Sequence, residues 1–313
     1  MTVSYSAPAK IILTGEHSVV YGKPALISAL DLRLTVTIHD AKTIKRDQNL
    51  DVIAGNVKSA LRRENIEFED KPYAIHIKSN IPSRQNLGSS AALSVAGTAA
   101  FLHFFTRRSF SKDMINQIAY QSEKHFHGNP SGGDNSASCF GGFIYYRKEF
   151  EFLRNISALN ARIPKVIMDR LFILDSGKSS ETTAEMVAKV GAFYNDQPKK
   201  AESIMNEIEK VTKRMVISVM KEDTNMFTQA VEENQKLLDS LGVVSAKAKN
   251  LLASLTTFGV GKVTGGGGIK LGSGNLLFIA KDPDQANKEF TRKNINMIKF
   301  VQDFEGVRLE KNL

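Results

Sequence analysis

The stretch Asn86-Leu87-Gly88-Ser89-Ser90-Ala91-Ala92 leads without a break into an apolar run that ends at Phe105. The composition of this run predicts a buried helix over 88–105, which places Gly88 and the two serines at the helix N-terminus. Unpaired N–H groups and the positive end of the helix dipole can hold a phosphate there, and a serine hydroxyl can reach a metal ion. A serine N-cap after a turn explains the same residues, so this stretch alone leaves both interpretations open.

The apolar run is too short to cross a membrane. It has 15 residues from Ala91 to Phe105 and is interrupted by Ser94, Gly97, Thr98 and His103, whereas a membrane span needs about 20 apolar residues. The first ten residues contain no apolar signal core, and the mean hydropathy of the chain is −0.21. We therefore expect a cytoplasmic protein without a membrane partner.

A second glycine-rich loop lies far along the chain. Thr264 is followed by four glycines, Gly265 to Gly268, and Lys262 precedes them. Such a run costs conformational entropy that a simple turn would not require, and close approach of the backbone to a ligand is one reason for it. A flexible hairpin tip is the alternative interpretation.

A turn-rich segment between these two loops carries one carboxylate on each side. Glu123 lies near the end of a predicted helix, and Asp134 follows the turn 128–133. A chain reversal could bring both carboxylates to one site, where a magnesium ligand and a base would suit them. The alternative is an ordinary surface turn, and the pair His125 and His127 favours packing and solvent contact over a zinc site.

The composition limits the classes of function. The chain has 313 residues, with 42 Lys and Arg against 33 Asp and Glu, so its formal net charge is +9. This charge favours anionic ligands, from nucleotides and carboxylates to nucleic acid, without choosing among them. The single cysteine, Cys139, cannot form an internal disulfide or a Cys-rich zinc site.

The periodicity of apolar residues predicts an α/β protein of two α+β domains, residues 1–166 and 167–313, with a cleft between them. In the first domain the expected strands are 10–13, 32–39, 73–77 and 142–146, and the expected helices are 88–105 and 111–126. In the second domain the expected strands are 165–175, 276–280 and 297–303, and the expected helices are 181–193, 199–220, 223–240 and 246–256.

A further motif, Gly15-Glu16-His17-Ser18-Val19-Val20-Tyr21-Gly22, lies within the segment 7–26. With this motif, nearly the whole chain resembles the GHMP small-molecule kinases. The other motifs that carry the resemblance are Gly88-Ser89-Ser90, the segment 127–135, the Asp175-Ser176-Gly177 turn and the glycine run. This first motif is most similar to that of the branch that phosphorylates mevalonate, because sugar kinases typically carry Asp-Tyr-Asn after Gly-Glu-His. The resemblance implies a left-handed βαβ unit in the first domain and a ferredoxin-like second domain.

The resemblance also implies roles for single residues. Asp134 matches the catalytic aspartate, which would take the proton from the substrate hydroxyl, and Lys10 matches the lysine that would keep it ionised. Ser90 and Glu123 match the ligands of Mg²⁺. The residues expected to bind the phosphates of ATP are Asn86, Leu87, Gly88, Ser89 and Ser90. The residues expected near the acceptor substrate, or closing the cleft, are Glu16, His17, Thr183, Gly266 and Gly267.

Two departures from the family pattern concern the glycine-rich loops. Arg84 and Asn86 stand where the phosphate loop usually has glycines. Asn tolerates a positive φ better than most residues, so Asn86 can keep the loop shape, while Arg84 would point outward or add charge to a phosphate. We expect retained use of ATP with an altered nucleotide affinity. The last loop is shortened too, because Thr264 and four glycines replace the usual Thr-Gly-Ala followed by several glycines.

The expected function is transfer of the γ-phosphoryl group of ATP, with Mg²⁺, to the 5-hydroxyl of mevalonate in isoprenoid biosynthesis. Two alternatives stay open: another kinase of the superfamily, acting on phosphomevalonate, homoserine or a sugar, and a non-catalytic sensor on the same fold. The intact residues Lys10, Glu123 and Asp134 argue against the sensor, because a pure binder has no chemical need for them. We expect no nucleic-acid partner, and a homodimer is an open expectation.

Overall fold

The computed structural model describes residues 1–42, 47–82, 86–127, 130–148, 154–159 and 161–311. Within these residues the strands form two antiparallel sheets. The strands are β1 (Thr2–Thr14), β2 (Ala25–Asp40), β3 (Tyr73–Ser79), β4 (Phe143–Lys148), β5 (Arg154–Leu159), β6 (Leu171–Asp175), β7 (Gly259–Val263), β8 (Asn275–Ala280), β9 (Met297–Lys299) and β10 (Arg308–Leu309).

The helices lie between these strands, and a 3-10 turn over Ser18–Tyr21 follows β1. The helices are α1 (Gln48–Arg63), α2 (Ser89–Thr106), α3 (Lys112–His127), α4 (Gly133–Phe140), α5 (Lys165–Met168), α6 (Thr183–Asp196), α7 (Pro198–Met220), α8 (Thr224–Ser240), α9 (Ala246–Ala253) and α10 (Pro283–Arg292).

The first sheet has the order β10-β1-β2-β4-β5, and β3 pairs with the second half of β2. Side chains alternate between the two faces of a strand. In β1 the apolar positions Val3, Tyr5 and Ile11 are buried against the helices α1 to α4. The opposite face carries polar side chains such as Ser4 and Thr37 around an open groove. The alternation along β1 therefore fixes which face holds the core.

Helix α2 lies at the centre of the first domain and packs directly on β1 and β2. Its composition is apolar all around, as expected for a helix that is surrounded by protein. It is the one helix among the described ranges that is long and apolar enough to cross a membrane, yet 72% of it is buried inside the protein. The prediction of a buried helix over 88–105 is confirmed, and the helix N-terminus is thereby held at a fixed place on the sheet.

The second sheet follows the order β7-β8-β6-β9, with the helices α6 to α9 and α10 in the two crossovers. This β-α-β-β-α-β arrangement is the ferredoxin-like topology. Alternate residues of β6 face different cores: Phe172 and Leu174 pack with α10 and α6, whereas Leu171 and Ile173 join the core of the first domain. The two domains therefore share a continuous apolar contact, which limits their relative motion.

The structure corrects two expectations. The strand predicted over 165–175 begins only at Leu171, because the short helix α5 comes first. Pro164 is the N-cap of α5, and Lys165 forms an ion pair with Asp169 at its end. The strand predicted over 297–303 ends at Lys299. The chain then returns to the first sheet, where β10 pairs with β1. The division of the chain at residue 166 stays a prediction, and β10 shows that the C-terminal segment contributes to the first sheet.

Candidate active site

The loop before α2 presents backbone N–H groups to the cleft. Asn86 and Gly88 have φ values of 59° and 77°, and Gly88 is the N-cap of α2 without a side-chain hydrogen bond. The first turn of α2 carries no acidic residue. The backbone N–H of Lys10 donates to the carbonyl of Leu87 at 2.9 Å, which ties the loop to β1. The first turn of α2 therefore has no carboxylate of its own to repel an anion at the helix N-terminus.

Gly88 is also required by the side chain that crosses it. A Cβ atom at position 88 would lie 2.7 Å from Cγ of Lys10, which is closer than such contacts allow. The lysine can thus run beneath the loop and reach Asp134 on the first turn of α4. Lys10 Nζ lies 2.9 Å from Asp134 Oδ2, and the two side chains are 5% and 39% exposed. The lysine is enclosed, whereas the aspartate is open to solvent.

Glu123 lies beside this pair at the end of α3. Its carboxylate accepts hydrogen bonds from Ser94 Oγ at 2.8 Å and from Ser90 Oγ at 3.5 Å. Burial raises the pKa of Glu123 to about 7, with a smaller contribution in the same direction from Asp134. Nε2 of His127 lies 2.9 Å from Ser90 Oγ and 3.7 Å from Glu123 Oε2. The predicted metal ligands Ser90 and Glu123 are thus neighbours.

Glu16 and His17 lie on the opposite side of the site, between the two domains. Both are buried, and Glu16 forms an ion pair with Lys262 of β7. Nε2 of His17 donates to the carbonyl of Gly266 at 3.1 Å, while Nδ1 is buried without a partner in the described residues. Burial lowers the pKa of His17 to about 4, so the ring is neutral at physiological pH. The backbone of His17 has a φ of 61°.

The glycine run packs tightly between segments of the second domain. A Cβ at Gly266 would lie 3.2 Å from Oγ1 of Thr183, the first residue of α6, and one at Gly267 would lie 2.2 Å from the carbonyl oxygen of Val243. A side chain at Gly267 is therefore excluded. A Cβ at Gly265 would lie 3.6 Å from Cβ of Asn86, so the glycine run meets the end of the phosphate loop.

Comparisons with known proteins agree with this geometry. Residues 53–142 match the family described as GHMP kinases N terminal domain. A mevalonate kinase of Pyrococcus abyssi is 33% identical over 299 residues, which covers 84% of this chain and 85% of the relative. The chain belongs to the GHMP kinases.

Solved structures share the fold of this GHMP kinase. A Lin0012 protein from Listeria innocua matches over 100% of both chains with a TM-score of 0.82 at 19% identity. A phosphomevalonate kinase from Streptococcus pneumoniae matches over 96% of this chain and 99% of its own, with a TM-score of 0.76 at 15% identity. These likenesses show the two-domain α/β fold alone. The family resemblance is confirmed, and the chain is an ATP-dependent small-molecule kinase.

The residues present in this GHMP kinase fit Mg²⁺. The ion prefers oxygen ligands, keeps several waters, and is commonly held by one or two carboxylates together with substrate phosphates. Ser90 and Glu123 offer such oxygens next to the helix N-terminus. The described part of the chain contains no group of three or more His, Cys, Asp or Glu residues that could hold a metal. Water and phosphate oxygens would complete the shell of an ion held by Ser90 and Glu123.

Sequence reasoning missed four side chains of this site, and it placed Asp134 in a loop rather than in α4. Ser94 could have been found, because it follows Ser90 by four residues on the same helix face. Lys262 gave a signal too, since a lysine within an apolar strand needs a buried partner. His127 and Asn234 gave none, because their contacts depend on the tertiary fold. Arg84, for which a contact with phosphate was one expectation, lies outside the described residues.

Proposed function

We propose that this GHMP kinase transfers the γ-phosphoryl group of ATP to the 5-hydroxyl of mevalonate. The observation that carries the chemistry is the pair Lys10 and Asp134, 2.9 Å apart and next to the N-terminus of α2. The identity of the acceptor is supported by the relative named mevalonate kinase, at 33% identity over most of the chain. The same reaction type applies to any alcohol acceptor in this cleft.

In the proposed reaction Asp134 accepts the proton of the acceptor hydroxyl as its oxygen attacks the γ-phosphorus. Asp134 is open to the cleft, so a hydroxyl can reach its carboxylate. The charge of Lys10 stabilises the ionised carboxylate before transfer and the developing negative charge on the attacking oxygen during transfer. Phosphoryl transfer has a loose transition state, so most of the rate gain comes from positioning and from charge stabilisation.

The nucleotide phosphates would lie against the loop 86–90. The N–H groups at the start of α2 would donate to phosphate oxygens, and the helix dipole would add to their attraction. Ser90 and Glu123 would hold Mg²⁺, which supplies neutralisation of the phosphate charge when it is bound. Burial raises the pKa of Glu123 to about 7, and a cation bound beside it would favour the ionised carboxylate.

The decisive experiment measures ADP release from Mg-ATP with mevalonate, phosphomevalonate, homoserine and galactose, for the wild type and for Asp134→Asn. We expect turnover with mevalonate that the variant loses. Turnover with a different acceptor would support the proposed mechanism and contradict mevalonate as the substrate. No ADP release with any of the four acceptors would contradict the proposal and favour a non-catalytic sensor on the same fold. Binding of DNA or RNA at several salt concentrations would then be measured.

A further inference from the structure

A network of buried polar groups joins the two domains, and the chemistry proposed above does not use it. The side chains of Lys262 and Glu16 are 0% and 1% exposed, and each is the other's charged partner. Neither charged group is exposed to solvent in this geometry. A buried ion pair is weak evidence for stability, because the desolvation of two charges offsets their attraction. Its presence here calls for another role.

The network extends to three further elements. Nδ2 of Asn234, on α8, donates to Glu16 Oε2 at 3.2 Å, and Oγ1 of Thr14, on β1, donates to Asn234 Oδ1 at 3.3 Å. Oγ1 of Thr212, on α7, lies 3.2 Å from Oγ1 of Thr14. The carboxylate of Glu16 therefore has partners from β7 and α8 and is fixed in one orientation.

The network continues along the backbone toward the glycine run. Lys262 Nζ donates to the carbonyl of Ile12 at 3.5 Å, and Thr264 Oγ1 donates to the same carbonyl at 2.8 Å. The next alternate residue, Gly266, accepts the hydrogen bond of His17. Residues 262, 264 and 266 thus each contact the first domain, from the end of β7 into the turn that follows it.

We propose that the Glu16 and Lys262 pair sets the register of the segment 262–266 on the first domain and thereby holds the glycine run opposite the phosphate loop. Glu16 and His17 are then positioning residues that act through the glycine run. A slip of this segment would leave a buried charge unpaired, which makes one register far more favourable than any other. The inference rests on the proposed phosphoryl transfer, but it does not depend on which acceptor is used.

The test is the double variant Glu16→Gln/Lys262→Met, which removes both charges and keeps similar side-chain volumes. We expect it to fold with a single cooperative transition and to bind ADP within about threefold of the wild type, because the phosphate loop belongs to the first domain. We expect kcat with the preferred acceptor to fall by roughly 100-fold, as for reacting groups displaced by about 1 Å. Amide hydrogen exchange in peptides that cover 264–268 should become faster.

The matched control is Arg33→Met/Asp303→Asn. This second buried ion pair, with side chains 10% and 4% exposed, joins β2 to the C-terminal segment and does not contact the glycine run. The control should keep the wild-type kcat and the wild-type exchange of 264–268. An unchanged kcat in the Glu16→Gln/Lys262→Met variant, or an equal loss in both double variants, would overturn the proposal.

A second series keeps the proposal testable if the double variant does not fold. Thr264→Val removes the hydrogen bond to Ile12 without removing a charge, and Thr264→Ser retains the hydroxyl. We expect a lower kcat and faster exchange of 264–268 in Thr264→Val and recovery of both in Thr264→Ser. Equal behaviour of the two variants would count against positioning.

Hydrogen exchange separates this proposal from the proposed function. If the wild type phosphorylates none of the acceptors tested, the proposed function fails, and exchange is then the readout. Faster exchange of 264–268 in Glu16→Gln/Lys262→Met, but not in Arg33→Met/Asp303→Asn, would still support the positioning role. Unchanged exchange in both would overturn it.

Discussion

The lysine–carboxylate pairs Lys10–Asp134 and Lys262–Glu16 each include a residue near the start of the chain, and they differ in their access to solvent. Lys10 and Asp134 lie at the cleft, where the aspartate is 39% exposed and one of its oxygens accepts from the lysine. Lys262 and Glu16 lie between the domains and are closed to solvent. Both pairs are held by β1 or by the residues that follow it directly.

The difference in access separates chemistry from positioning. A carboxylate that serves as a base must meet the substrate hydroxyl within hydrogen-bond distance, and Asp134 is open to solvent whereas Glu16 is enclosed. A pair that fixes a register must instead be enclosed, because water would relieve the penalty of a mismatch. Five variants, at the open pair, at the closed pair and at their neighbours, test this comparison.

The largest expected effect is on the open pair. Asp134→Asn should lower kcat by roughly 10²- to 10⁴-fold, the range for the loss of a general base. Binding of ADP, measured by calorimetry, should change little because the asparagine is of similar size. Asp113→Asn, an exposed acid in the first turn of α3, is the control and should match the wild type. A wild-type kcat in Asp134→Asn would contradict the role of Asp134 as the general base.

The closed pair should dominate stability. Lys262→Met leaves the Glu16 carboxylate buried and unpaired, so we expect a loss of about 3 to 5 kcal/mol in the free energy of unfolding. Lys10→Met should lose less than about 1 kcal/mol, because the aspartate it leaves behind is partly solvated. Urea denaturation of both variants measures the difference. Equal losses of the free energy of unfolding in Lys262→Met and Lys10→Met would contradict the claim that burial makes the closed pair more important for stability.

His17, the neighbour of Glu16 in the closed pair, should make the free energy of unfolding depend on pH. Burial lowers the pKa of His17 from 6.5 to about 4. The unfolded chain therefore takes up a proton before the folded protein does, and His17 should reduce the free energy of unfolding by about 3 kcal/mol as the pH falls from 6.5 to 4. His17→Asn, which tolerates the positive φ, should lack this part of the pH dependence.

Denaturation of the wild type and of His17→Asn between pH 7.5 and pH 4 measures that contribution as a difference. The exposed His125→Asn is the control and should keep the wild-type profile. The same pH dependence in His17→Asn and in the wild type would contradict the buried, neutral state of the ring.

The smallest expected effect concerns Ser94, the hydrogen-bond partner of Glu123 beside the open pair. Ser94→Ala removes the 2.8 Å hydrogen bond to Glu123, and a hydrogen bond to a charged group contributes about 1.5 kcal/mol. The concentration of Mg²⁺ at half-maximal rate should rise by roughly tenfold. Thr98→Val is the control, because the Thr98 hydroxyl has no hydrogen-bond partner in the described residues. An equal shift in both variants would contradict a role of Ser94 at Glu123.

The sequence predicted the local features of the open site and missed the closed one for a physical reason. Gly88, Ser89 and Ser90 were predictable at the start of a helix because the apolar run that follows them is continuous. The contact of Glu16 with Lys262 joins residues 246 positions apart, and no local pattern encodes such a distance. Helix α4 was missed because Gly132 and Gly133 at its start are typical of loops.

The most direct test of the account is ³¹P NMR of the purified protein with Mg-ATP and mevalonate. We expect loss of the γ-phosphate resonance of ATP and the appearance of ADP together with one phosphomonoester resonance, with neither change in Asp134→Asn. Release of inorganic phosphate alone, no phosphomonoester with mevalonate, or the same product from Asp134→Asn would contradict it.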